Sequence, residues 1–149
     1  MKIVVKNKNA YRNYEIEEKF EAGMTLLGTE IKSMREGRMS LKESYCRFKD
    51  GELYLVGSNI TPYSHADYFN HEPQRDRKLL LHKSELRKLQ SKVKLKGFTI
   101  VPIKVYFNKK GLAKIEIGIG KGKKLHDKRE DMKQKAIKRE MEKEMKYKF

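Results

Sequence analysis

Histidines and carboxylates gather at one place in this chain, His65-Ala66-Asp67 and His71-Glu72. Their spacing fits neither HExxH nor HxExxH on a helix, and they lie in a polar stretch between Thr61-Pro62 and Pro73, so no metal site is expected there. Glu17, Glu18 and Glu21 offer carboxylates for acid–base work. On a strand, however, Glu17 and Glu21 share one face and Glu18 takes the other, and alternation with Ile16 and Phe20 marks a solvated strand face. Lys121-Gly122-Lys123-Lys124 superficially has the look of a phosphate loop, but it lacks GxxxxGK[ST] and no Ser or Thr follows to hold magnesium. Neither a G-x-S-x-G elbow nor a Ser/His/Asp order is present. None of these features argues for an enzyme, a cofactor or a metal.

What remains is positive charge interleaved with aromatic rings. Lys6, Lys8, Tyr11, Arg12 and Tyr14 form one such cluster; Arg75, Arg77, Lys78 and Lys83, bracketing Leu79-Leu80-Leu81, form a second. Cations neutralise phosphate while rings and guanidinium planes stack on unpaired bases, which is the chemistry of an RNA-binding surface. The whole chain supports this, since 36 Lys+Arg against 20 Asp+Glu in 149 residues leave a formal charge of +16. A charge this large repels itself in the compact state and points to a polyanionic partner.

Other classes are excluded by composition. No run approaches the roughly 18 apolar residues of a spanning helix, so no membrane partner is expected. The segment from Met1 to Lys8 has too short an apolar stretch for a secretory signal. Cys46 is the only cysteine, which excludes an intrachain disulfide framework and a cysteine-rich zinc site. A reducing cytoplasm is the expected compartment.

These residues must be positioned by a mostly β body. Tyr14 to Phe20 alternates as a strand that runs on through Leu26-Leu27. Asp50-Gly51 turns a hairpin between Ser44–Phe48 and Glu52–Val56, and Asn108 to Gly111 turns another between Phe98–Phe107 and Leu112–Gly120. In the last strand Ile115, Ile117 and Ile119 face one way, Lys114 and Glu116 the other. Thr29 to Glu36 reads as a helix ended by Gly37; His82 opens a second, with Leu86, Leu89 and Val93 on one face and Gly97 closing it. Short strands without βαβ alternation fit a closed antiparallel barrel of OB type with flanking helices. The body is placed at 1–120. Residues 121–149 carry 12 Lys/Arg and six Asp/Glu and lack proline. Leu125, Met132, Ala136 or Ile137, Met141 and Met145 give them only a narrow apolar stripe, so they read as a basic tail, helical when bound.

Several stretches together resemble the small protein B family of SsrA-RNA-binding proteins. They are Asn7-Lys8 with Ala10, Tyr14-x-Ile16-Glu17-Glu18-x-Phe20-Glu21-Ala22-Gly23, and Gly28-x-Glu30-Ile31-Lys32-Ser33-x-Arg35-x-Gly37. Asn59-Ile60-Thr61-Pro62, Arg75-x-Arg77-Lys78-Leu79-Leu80-Leu81 and Lys121-Gly122-Lys123-Lys124-x-His126-Asp127-Lys128-Arg129 follow in family order. The resemblance spans nearly the whole chain and implies a bacterial OB-type barrel that binds the tRNA-like domain of transfer-messenger RNA. It further implies entry of that complex, indirectly with elongation factor Tu, into ribosomes stalled without a stop codon, where trans-translation tags the nascent chain.

On the same resemblance Asn7, Tyr14, Glu21, Arg35, Lys78, Leu80 and Lys114 are the RNA-facing positions. His126, Asp127, Lys128 and Arg129 are those of a tail that occupies the empty decoding centre and mRNA channel of the small subunit, against 16S rRNA. Two positions depart from the pattern: Arg12 stands where a relative has His, and His82 where an Asn would cap the second helix. Glu21 cannot attract phosphate, so its RNA role is to accept hydrogen bonds from base or ribose donors or to orient a basic neighbour. A ribosomal or initiation-type OB protein that binds structured rRNA is the competing reading, and a carboxylate or histidine nuclease a distant third.

Overall fold

Two turns built from the expected residues organise the chain. The computed structural model describes residues 1–122. Along them run β1 (Lys2–Lys6), α1 (Ala10–Asn13), β2 (Tyr14–Met24), α2 (Gly28–Arg35), β3 (Met39–Ser40), β4 (Tyr45–Lys49) and β5 (Glu52–Val56). There follow β6 (Asn59–Ile60), β7 (Arg77–Leu80), α3 (Lys83–Lys96), β8 (Thr99–Phe107) and β9 (Ala113–Gly122). Asp50 and Gly51 both take positive φ, 51° and 78°, the geometry of a two-residue hairpin turn that matches strand twist. Between β8 and β9 the Asn108 side chain accepts hydrogen bonds from the backbone N–H groups of Lys110 and Leu112, each at 3.0 Å.

The sheet is antiparallel in the order β1-β8-β4-β5-β7-β2-β9, and β9 pairs again with β8, so the ladder returns to one of its own strands. Its thinnest join is β4 with β8, a single pair Cys46↔Ile100. β3 and β6 make a separate two-stranded ribbon. The body is thus mostly β, as expected, and β9 runs to Gly122. β1, α1, β3, β6 and β7 are additions to the sequence reading; each is five residues or shorter, too short to show a period. No described helix is long and apolar enough to cross a membrane.

Ile115, Ile117 and Ile119 of β9 are fully buried with Leu53, Leu55, Leu79 and Leu89. Leu89 comes from α3, and Leu86 and Val93 pack on the same core, which is the face read from their spacing. β2 departs from its simple alternation. Ile16 pairs with Gly120 and Glu18 with Ile119, so Glu17 is an extra residue, a bulge. The bulge separates residues that alternation placed together: Phe20 packs on the main core, whereas Ile16 joins Ala10, Tyr14, Val101 and Ile103 in a second cluster. It also brings both Glu17 and Glu18 to α3, where Lys92 meets them at 3.5 and 3.3 Å and Lys88 lies 2.6 Å from Glu18. The hydrogen bond from Lys88 holds the Glu18 carboxyl below its ordinary pKa. Gly120 permits the bulge, because a Cβ there would collide with the Glu15 carbonyl group.

Glu30 is the centre of a buried polar cluster. Its carboxylate, fully buried, accepts from Arg75 Nη2 at 2.6 Å, Arg77 Nε at 2.7 Å and the Leu27 backbone N–H at 2.7 Å. Arg77 is equally buried, and its Nη1 donates to the Ser58 Oγ at 3.0 Å and the Arg75 carbonyl at 2.9 Å. Reading Arg75 and Arg77 as surface cations for RNA is therefore corrected: both are turned inward to a carboxylate that lies 45 and 47 positions earlier. His71 is likewise engaged within the fold, with Nδ1 2.9 Å from the Thr29 hydroxyl and Nε2 2.8 Å from the Ile60 carbonyl oxygen.

Burial opposes ionisation of Glu30, but the Arg75, Leu27 and Arg77 contacts outweigh it and hold its pKa below the ordinary value. A depressed carboxylate pKa stabilises the fold above the unfolded value of about 4.3, and that contribution is lost as pH falls through the folded value. Denaturant titrations from pH 7 to pH 3 should show the wild type weakening in this acid window and Glu30→Gln weakening less. At pH 7 Glu30→Gln should itself cost about 3–5 kcal/mol, because Arg77 is left as an unpaired buried charge. Gly120→Ala should lower stability by about 1–3 kcal/mol in the same assay, through overpacking at the bulge.

Candidate nucleic-acid interface

The β-strand period sends every second residue of β9 outward, opposite Ile115 and Ile117. Across the sheet these outward positions form rows. Tyr106 of β8 stands opposite Lys114 of β9, Lys114 opposite Gly23 of β2, and Gly23 opposite Leu80 of β7. The adjacent row is Lys104, Glu116 and Glu21. Four strands from three separate parts of the chain thus assemble one face.

Glu21, Leu80 and Lys114, three of the expected RNA-facing residues, line a single open depression of about 340 Å³ with Gly23, Leu81, His82 and Glu85. Leu80 is 53% exposed, whereas Leu79 beside it is fully buried, so the Leu79–Leu81 run divides between core and surface by strand alternation. The floor is backbone: a Cβ on Gly23 would lie 3.3 Å from Leu80 Cβ and 3.8 Å from Lys114 Nζ. Lys78 is two residues along the same face of β7, 3.8 Å from Glu52. The depression joins an exposed apolar side chain, an ammonium donor and a carboxylate acceptor within the reach of one nucleotide.

The carboxylate is held in place by a residue that sequence reading assigned only to a strand. The Tyr106 hydroxyl donates to Glu21 Oε2, 85 positions away. Lys104 Nζ lies 5.8 Å from the ring centroid of this tyrosine. Burial first, and then the Glu21 contact, push the Tyr106 pKa up, so it remains a donor throughout the physiological range. Glu21 also faces Glu116 directly across the β2–β9 ladder, a like-charge pair that favours donors on its free side. An aromatic residue inside the apolar run Phe98–Phe107 reads as core, and Tyr106 is indeed buried; only its shared parity with Lys104 hints that its hydroxyl meets Glu21.

The other expected residues lie elsewhere. The Asn7 amide donates to the Pro102 carbonyl at 2.8 Å and its Oδ1 accepts from Asn9 N–H at 3.2 Å, bonds that shape the passage from β1 to α1. Tyr14 is half-buried on the second cluster. Around these two, Lys6, Lys8, Tyr11 and Arg12 remain exposed, with Lys19 Nζ 5.7 Å from the Tyr11 ring. Arg35, at the end of α2, is exposed with its guanidinium 5.7 Å from the Phe107 ring. At the start of α3, His82 supplies no side-chain cap and its backbone N–H donates to Glu85 Oε1 at 3.2 Å. His126, Asp127, Lys128 and Arg129 lie outside the described residues.

Comparison with known proteins agrees with the resemblance read from the motifs. Residues 4–147 match the family described as SmpB protein. The chain is 50% identical over 147 residues to the SsrA-binding protein of Fervidobacterium nodosum, covering 99% of both chains. It is 52% identical over 141 residues to that of Syntrophobacter fumaroxidans, covering 95% of this chain and 87% of the relative. A solved structure described as "tmRNA-SmpB: a journey to the center of the bacterial ribosome" superposes with a TM-score of 0.64 at 51% identity, over 80% of this chain and 83% of that one. With a family match across nearly its full length and relatives at half identity or more, the chain belongs to the SmpB protein family.

Proposed function

We propose that this chain is a non-enzymatic RNA-binding protein that grips the tRNA-like domain of transfer-messenger RNA and brings it to stalled ribosomes for trans-translation. The observation that carries the reading is the convergence of Glu21, Leu80 and Lys114 on one open face of a chain with formal charge +16. The names of the relatives and of the solved neighbour add the identity of the RNA and the ribosomal setting. In this reading the returning ladder of β8, β4, β5, β7, β2 and β9 is an OB-type barrel, a platform that presents side chains outward while its isoleucines fill the inside.

The division of labour follows the chain. The body holds RNA through Asn7, Tyr14, Glu21, Arg35, Lys78, Leu80 and Lys114. The basic segment beyond Gly122 becomes helical in the vacant decoding centre and mRNA channel, where His126 stacks on a 16S rRNA base, Lys128 and Arg129 meet phosphates, and Asp127 caps the helix. Elongation factor Tu is met through the bound RNA rather than through a site on this chain, and the working compartment is the cytoplasm. No step of this activity asks the protein to make or break a covalent bond.

Four measurements test the reading. Binding to the tRNA-like domain should weaken on Lys114→Ala by about tenfold, and log K should fall against log salt with a slope of about −4 to −5 if roughly six phosphates are neutralised. A flat salt response would contradict electrostatic recognition. Ending the chain after Gly122, where β9 ends, should leave that binding largely intact and abolish peptide tagging on stalled ribosomes. His126→Ala should behave like the truncation in kind; equal loss of RNA binding and tagging would refute the separation of body and tail.

A further inference from the structure

We propose that the Glu21–Lys114 depression receives one unpaired guanine, read through its Watson–Crick edge by the Glu21 carboxylate, with Tyr106 as the positioning residue that sets that carboxylate. The inference rests on the RNA-binding reading above and specifies what that face selects.

The chemistry of the depression narrows the ligand in steps. An ionised carboxylate accepts hydrogen bonds and donates none, so whatever meets Glu21 must present donors. Tyr106 donates to Oε2, which leaves Oε1 and the remaining lone pair of Oε2 directed at a ligand. Two acceptor sites side by side call for two adjacent donors. Adenine offers a donor beside an acceptor, cytosine likewise, and uracil one N–H between two acceptors; guanine alone sets its N1–H and N2–H₂ next to each other. Base pairing occupies that edge, so the guanine must be unpaired, the state in which proteins read RNA bases.

The remaining walls suit the same occupant. Leu80, 53% exposed, offers an apolar surface to the plane of the base, and Gly23 beneath it has no side chain to hold a ring away. Lys114 Nζ, reaching to 3.8 Å of the position a Gly23 Cβ would take, is placed for guanine O6 or the nucleotide's phosphate. Glu116, opposite Glu21, adds negative potential that donors relieve and a phosphate approaching Glu21 itself would not. Tyr106 restrains the Glu21 side chain from the neighbouring row, so both acceptor sites are in place before RNA arrives.

The test pairs changes in the RNA with changes in the protein, using the full chain and the tRNA-like domain of transfer-messenger RNA. Each unpaired guanine is replaced in turn by inosine, which lacks the 2-amino group. One such replacement should weaken wild-type binding about fivefold or more and leave the already weakened Glu21→Gln variant unchanged. Tyr106→Phe should also weaken binding, with no further loss in the Glu21→Gln background and with thermal midpoints measured alongside. If no inosine replacement alters wild-type affinity, if 2′-deoxy replacement alone does so, or if Tyr106→Phe adds in full to Glu21→Gln, the assignment is overturned while the RNA-binding reading stands. If the wild type fails to bind the unmodified RNA at all, both are overturned.

Discussion

The placement of β7 depends on one buried carboxylate. β7 is four residues long and joins β5 by three residue pairs and β2 by two, a slender ladder for a strand that must deliver Leu80 beside Gly23. Glu30, projecting from α2, grips Arg77 at the start of β7 and Arg75 just before it. The ionic cluster thereby locks strand, helix and incoming loop to one another. Apolar residues would fill the same volume at no greater cost to stability, yet they would not demand a particular partner, and breaking one charge away from the others is strongly unfavourable. The cluster fixes position as much as it stabilises.

The outward face is built by a second set of constraints, all of them cross-strand. Alternation sorts each strand into an inner and an outer series, and register then decides which outer residues meet. Bulges adjust this sorting locally: the extra residue at Glu17 lets Ile16 and Phe20 serve different clusters and swings two glutamates toward α3. A second irregularity, between Pro102 and Lys104 in β8, lies in the stretch that contributes Val101 and Ile103 to the second cluster. Beyond that irregularity Tyr106 and Lys114 come into register, and a hydroxyl from β8 reaches across β9 to a carboxylate on β2.

Much of this was legible in the residues themselves. Asp50-Gly51 and Asn108–Gly111 marked both hairpins, and the Leu86, Leu89 and Val93 spacing named the buried side of α3, because these signals are local and repeat over a turn or a strand. The outward side of β9 was legible for the same reason, and with it Lys114. Glu21 and Leu80 were ambiguous by pattern, a solvated carboxylate and one leucine of three, and the family resemblance singled them out. Arg77 was misread because a surface cation and a buried one share the same local signature; its counter-charge lies 47 positions away. Tyr106 was hidden for a like reason, since nothing within its own strand announces a partner on β2.

The position of β9 also has a mechanical consequence. It is flanked along its length by β2 and β8, and it is the last of the described strands, ending at Gly122. Tension applied to whatever follows Gly122 acts along the strand axis, so it loads the rungs on both sides together in shear instead of peeling them one after another. A body held by RNA at Lys114, as proposed above, would therefore transmit a tug from its far end straight to that residue, through a stiff member only nine residues long.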